Sequence, residues 1–96
     1  MLIQFRIAYK TRFGEQIMIT GTHPQLGQGK RENAVAMNYE KYSEGTWTYL
    51  IRTDEEYRFG YRYFLREESS GRILEEWGRD RFFDQDETDY CSYDHW

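Results

Sequence analysis

Tyr57-Arg58-Phe59-Gly60-Tyr61-Arg62-Tyr63-Phe64-Leu65-Arg66 decides the fold. Tyr57, Phe59, Tyr61, Tyr63 and Leu65 occupy alternate positions, and Arg58, Arg62 and Arg66 lie on the opposite side. A period of two with aromatic and branched residues on one side is the pattern of a half-buried β-strand. Ser69-Ser70-Gly71 then turns the chain into Arg72–Trp77, which reads as the hairpin partner of that strand.

The same alternation recurs upstream. Ile3, Phe5, Ile7 and Tyr9 interleave with Gln4, Arg6, Ala8 and Lys10. Gln16–Thr20 is a short second strand, and Val35, Met37 and Tyr39 begin another alternation. Trp47, Tyr49 and Ile51 oppose Thr48, Leu50 and Arg52. Between the second and third strands, residues 21–29 hold the only proline and three glycines, the composition of a loop. Asp84–Asp89 reads as an acidic connector, and Tyr90–Trp96 as the last strand. No segment sustains a 3.6-residue period and no internal repeat is visible. Seven or eight short, mostly antiparallel strands predict an immunoglobulin-like β-sandwich.

Ninety-six residues suit one domain spanning 1–96, with a core that buries roughly 60–65% of the unfolded surface. Aromatic residues make up 19% of the chain and nine of them are tyrosine, more than such a core needs. Either some of these rings lie at a wet contact surface or they simply pack the β-sandwich. Residues 1–66 carry ten Lys/Arg and seven Asp/Glu, whereas residues 67–96 carry three and ten. An acidic C-terminal third disfavours nucleic acid, whose phosphates need clustered cations. No apolar run reaches the roughly 20 residues of a membrane span. Cys91 is the only cysteine, so no internal disulfide forms. The start, Met1-Leu2-Ile3-Gln4-Phe5-Arg6, alternates instead of building a leader, which points to a reducing, cytoplasmic setting.

Few residues suggest chemistry. Glu67-Glu68 and Glu75-Glu76 are adjacent pairs, and strand neighbours point to opposite faces, so neither pair flanks one glycosidic bond. His23, Cys91 and His95 offer a weak metal signal, better read as ordinary surface or core residues. No phosphate loop is present and no cofactor is expected. What remains is aromatic surface. A flat ring covers the apolar C–H face of a glucose unit while neighbouring polar side chains bond its hydroxyls.

In their order along the chain, Thr11-Arg12-Phe13-Gly14-Glu15, Gly21-Thr22-His23-Pro24-Gln25-Leu26-Gly27, Ala36-Met37, Trp47, Phe59-Gly60-Tyr61-Arg62-Tyr63, Glu76-Trp77-Gly78-Arg79-Asp80-Arg81 and Asp94-His95-Trp96 resemble the starch-binding domain, carbohydrate-binding module family 20. The resemblance implies non-catalytic binding of starch, glycogen, maltooligosaccharide or cyclodextrin. It implies two glucan sites. At one, Phe13 and Tyr42 stack, with Glu15 and Lys41 at the rim; alternatively, Phe13 packs inward below Gly14. The other departs from the family pattern, because Gln28-Gly29 and Glu75 stand where tryptophans are expected. Arg62, Trp77 and Asp80 remain there, with Trp77 either a displaced platform or a cap on the sandwich edge. The resemblance also implies a longer parent, similar to intracellular family 77 4-α-glucanotransferases, with a second binding module and a catalytic domain. The alternative is an interaction or dimerisation module of the same fold that has lost sugar binding.

Overall fold

The computed structural model describes residues 2–41, 43–52, 58–75, 81–83, 89–91 and 94–95. Ten short strands build two five-stranded sheets among these residues. In the first sheet, β1 (Leu2–Ala8) lies between β5 (Thr46–Arg52) and the C-terminal segments β9 (Asp89–Cys91) and β10 (Asp94–His95). β4 (Asn38–Tyr39) flanks β5 on the far side. In the second sheet, β6 (Phe59–Glu67) pairs along its length with β2 (Glu15–Gly21). β7 (Ile73–Glu75) and β8 (Arg81–Phe83) share the opposite edge of β6, and β3 (Val35–Ala36) lies outside β2. The expected β-sandwich is the observed fold. β9 and β10 run parallel to β1, and the other pairings are antiparallel.

The alternations become the core. Ile3, Phe5 and Ile7 of the first sheet face Ile17, Ile19, Phe59, Tyr61, Tyr63 and Leu65 of the second, all buried. Phe5 meets Tyr61 edge-on at 4.9 Å between centroids, and Phe59 stacks on Phe83 at 5.0 Å. Such pairs add about 0.5–1.5 kcal/mol each beyond the area they bury.

Two sequence expectations need correction. Val35–Tyr39 is not one strand: Ala36 pairs with Met18 in the second sheet, whereas Asn38 pairs with Thr48 in the first. Met37 is the crossing point, its side chain buried and its N–H bonded to the Ile17 carbonyl. The second correction concerns β6, whose arginine face also carries Phe64, and Phe64 is buried. The loop before β3 folds over that outer face, with the Arg31 guanidinium 5.7 Å above the Phe64 ring and ion-paired to Glu75.

That loop begins at His23, which is buried and packs edge-on to Phe59. Its Nδ1 accepts the Gln25 N–H at 3.0 Å, capping the 3₁₀ turn Pro24–Leu26. Burial lowers the His23 pKa below its ordinary 6.5, and the cap needs an unprotonated Nδ1. The unfolded state therefore binds more protons below pH 6.5, so stability falls as pH drops through that value. The loss is at most about 1.4 kcal/mol per pH unit. In urea titrations, His23→Asn, which keeps a capping acceptor, should show a flatter slope below pH 6.5 than the parent. Identical slopes would exclude His23 as the source.

Candidate functional site

The β1–β2 connection presents the first candidate ring. Glu15 N–H bonds to the Arg12 carbonyl at 3.1 Å, and Gly14 has φ +86°, the geometry of a type II turn. Phe13 holds the corner position before that glycine and is fully exposed, so it does not pack inward below Gly14. The half-buried Glu15 accepts the Arg12 N–H through its carboxylate, which ties its side chain back across the turn. Tyr9 N–H bonds to the Gly45 carbonyl at 2.8 Å, joining this region to the loop before β5.

Lys41 is exposed on that second loop, and Tyr42 lies outside the described residues. Ser43 braces the loop: its hydroxyl donates to the Glu40 carbonyl at 2.6 Å and accepts the Thr46 N–H at 3.1 Å. A shallow depression of about 330 Å3, lined by Lys10, Thr11, Tyr39, Ser43 and Glu44, separates the two loops. The fold thus sets the loop bearing Phe13 beside the loop bearing Lys41, over an open, polar-rimmed hollow.

The second candidate region lies on the outer face of the β2–β6 sheet. A groove of about 250 Å3 is lined by Thr20, Thr22, Gly29, Gly60, Arg62 and Glu75, among others. Arg62 pairs with Thr20 across the strands and faces outward, and Gly60 lies one pleat away. Glu75 is held by Arg31, so that carboxylate forms a wall of the groove. Gly29 contributes backbone alone. Trp77 and Asp80 lie outside the described residues.

Sequence reasoning missed Phe82. This ring is 64% exposed and is the cross-strand partner of Gly60. Its signal was the Phe82-Phe83 doublet: on a strand only one of two neighbours can face the core, and Phe83 does.

Among the described residues no group of three His, Cys, Asp or Glu could hold a metal ion, and no helix is long and apolar enough to cross a membrane.

A β-sandwich with an exposed ring on a rigid turn and an open outer groove is the build of a binding module. The starch binding domain family matches residues 1–92, and the chain belongs to that family. It is a non-catalytic module for starch-type α-glucans. Solved structures share the fold at low identity. A glycoside hydrolase family 15 glucoamylase from Hypocrea jecorina superposes with a TM-score of 0.85 at 19% identity, over 99% of this chain and 17% of that one. The γ-CGTase of the alkalophilic Bacillus clarkii gives 0.82 at 18%, over 98% of this chain and 14% of that one. The family 20 module of the maltotetraose-forming amylase from Pseudomonas saccharophila STB07 gives 0.72 at 18%, over 97% of this chain and 99% of that module. The chain therefore spans under a fifth of the two whole enzymes and nearly all of the isolated module.

Proposed function

We propose that this domain docks α-1,4-glucan chains through the Phe13 turn, with Tyr42 completing the stacking surface and Glu15 and Lys41 at its rim. The observation that carries the reading is Phe13, an apolar ring wholly in water on a turn that fixes its direction. Nothing in the core uses that ring, whereas a glucose face would cover it. The domain would thereby hold an attached enzyme at its substrate. The proposed parent is a cytoplasmic 4-α-glucanotransferase of the family 77 type, as the motif order suggests. Glucoamylase and CGTase also carry this fold.

Phe13→Ala should weaken β-cyclodextrin binding by about 1–2 kcal/mol, the scale of truncating a contact aromatic, and Phe13→Tyr should retain it. Equal calorimetric affinities for the parent chain and Phe13→Ala would reject the assignment. The protein-docking alternative finds some support in Ile73 and Leu74, which are exposed on the edge strand β7. Self-association in sedimentation, abolished by Leu74→Lys, would favour it.

A further inference from the structure

Tyr39 is 47% exposed, and the core alone does not call for a ring there. It belongs to β4, a two-residue strand at the edge of the first sheet, both of whose residues are exposed. A water-facing edge position accepts most side chains with little effect on stability. Here the tyrosine is held at both ends. Its ring meets the buried Trp47 edge-on at 5.1 Å between centroids, across the β4–β5 pairing. Its hydroxyl donates to the Ser43 carbonyl at 3.0 Å. The loop beyond is closed in turn, because the Glu40 N–H bonds to the Thr46 carbonyl at 2.9 Å and the Ser43 hydroxyl donates to the Glu40 carbonyl.

This bracing decides what Tyr39 can offer a ligand. With its O–H proton committed to Ser43, the surface it presents is mainly the ring, which is apolar and fixed in direction. The ring lines the hollow of about 330 Å3 between the Phe13 turn and the Lys41 loop, together with Lys10, Thr11 and Glu44. That volume is at the small end of ligand pockets, about 300–1,000 Å3, and suits a short run of sugar units. Lys10 and Glu44 are exposed and oppositely charged, and neither forms an ion pair with another described residue. An ammonium that donates and a carboxylate that accepts, on one rim, match the hydroxyls of a pyranose, which do both. Thr11 lies two residues before Phe13, so a glucan chain leaving the Phe13 ring meets this hollow next.

We infer that Tyr39, with Lys10 and Glu44 at the rim, forms an additional sugar position beside Phe13, so that this end of the sandwich grips consecutive glucose units of one chain. It rests on the glucan reading above and adds a ring to that site. The gain with glucan length ends once a chain covers both rings.

The test is NMR of the 96-residue chain with maltotriose, set beside calorimetry on Tyr39→Phe and Tyr39→Leu. In the parent the amides of Thr11, Glu44 and Gly45 should shift with the same midpoint as those of residues 13–15. Intermolecular NOEs should join the Tyr39 ring to sugar C–H protons. Tyr39→Phe keeps the ring and should bind as the parent does. Tyr39→Leu keeps apolar volume without a flat face, and it should weaken maltotriose about five-fold, the scale of losing a contact aromatic. The NOEs need no variant, so the outcome does not depend on Tyr39→Leu folding. Shifts at residues 13–15 with no NOE to Tyr39 would overturn the added position and leave the glucan reading standing. So would a folded Tyr39→Leu chain that binds like the parent. Equal weakening by both variants would overturn it too, leaving Tyr39 a brace for the Ser43 loop. No response to maltotriose anywhere would overturn both readings.

Discussion

Asp94→Ala is expected to lower the unfolding free energy by about 3 kcal/mol, a large part of the roughly 5–10 kcal/mol a domain of this size possesses. Asp94 belongs to the first sheet, where it pairs with Ile7. Its carboxylate reaches across to the second. It accepts the Tyr63 hydroxyl at 2.6 Å and the Tyr61 hydroxyl at 3.2 Å, and it meets the Arg81 guanidinium at 3.4 Å. The side chain is only 14% exposed, and Arg81 is 28% exposed while lying 5.6 Å from the Tyr63 ring centroid. Removing the carboxylate takes one acceptor from two tyrosine hydroxyls and one partner from a part-buried cation at once. Truncating one side of a buried charged network costs about 3–5 kcal/mol, and the partial exposure of Arg81 places this case at the lower end. Tyr63→Phe removes one donor and should cost about 1 kcal/mol. Urea unfolding followed by tryptophan fluorescence compares the three chains. An Asp94→Ala loss no greater than that of Tyr63→Phe would show that the carboxylate does not clamp the two sheets.

The clamp illustrates where sequence reading stops. A period of two reports which side of a strand is apolar, and it placed Ile3, Phe5, Ile7, Phe59, Tyr61, Tyr63 and Leu65 in the core correctly. It does not report what covers the other side. Phe64 shares the arginine side of β6 and is buried there because the loop carrying Arg31 lies across it. Nor does it report partners: Val35, Met37 and Tyr39 alternate smoothly while the chain changes sheets at Met37, because pairing is chosen by distant strands. Asp94 was one acid among seventeen, distinguished only by which hydroxyls the fold brings to it. Phe13 entered through the resemblance to the family, and what the fold adds is that the turn at Gly14 leaves its ring exposed instead of packed inward. Phe82 was overlooked because an apolar side chain is assigned inward by default, although the neighbouring Phe83 had already taken the inward direction.

Phe13→Ala should lower adsorption of the chain to granular starch on the order of ten-fold, the same factor by which it weakens β-cyclodextrin. The ring stands wholly in water on the turn closed by the Glu15 N–H and the Arg12 carbonyl, and that turn is tied to the far end of β6, where the Glu68 N–H bonds to the Gly14 carbonyl at 2.9 Å. A single shallow platform buries little apolar area, and part of its gain is offset by ordering a flexible sugar chain. Its dissociation constant for a short maltooligosaccharide should therefore be near the millimolar end, about −4 to −5 kcal/mol. The 96-residue chain should gain little from longer glucans, whereas linkage to a further glucan-binding unit would raise the effective concentration without adding contacts. Depletion isotherms on granular starch, set beside calorimetry with maltotriose and long amylose, separate the two quantities. If Phe13→Ala adsorbs like the parent chain, the turn has no part in binding. A steep gain with glucan length, untouched by Phe13→Ala, would put the binding elsewhere on the sandwich.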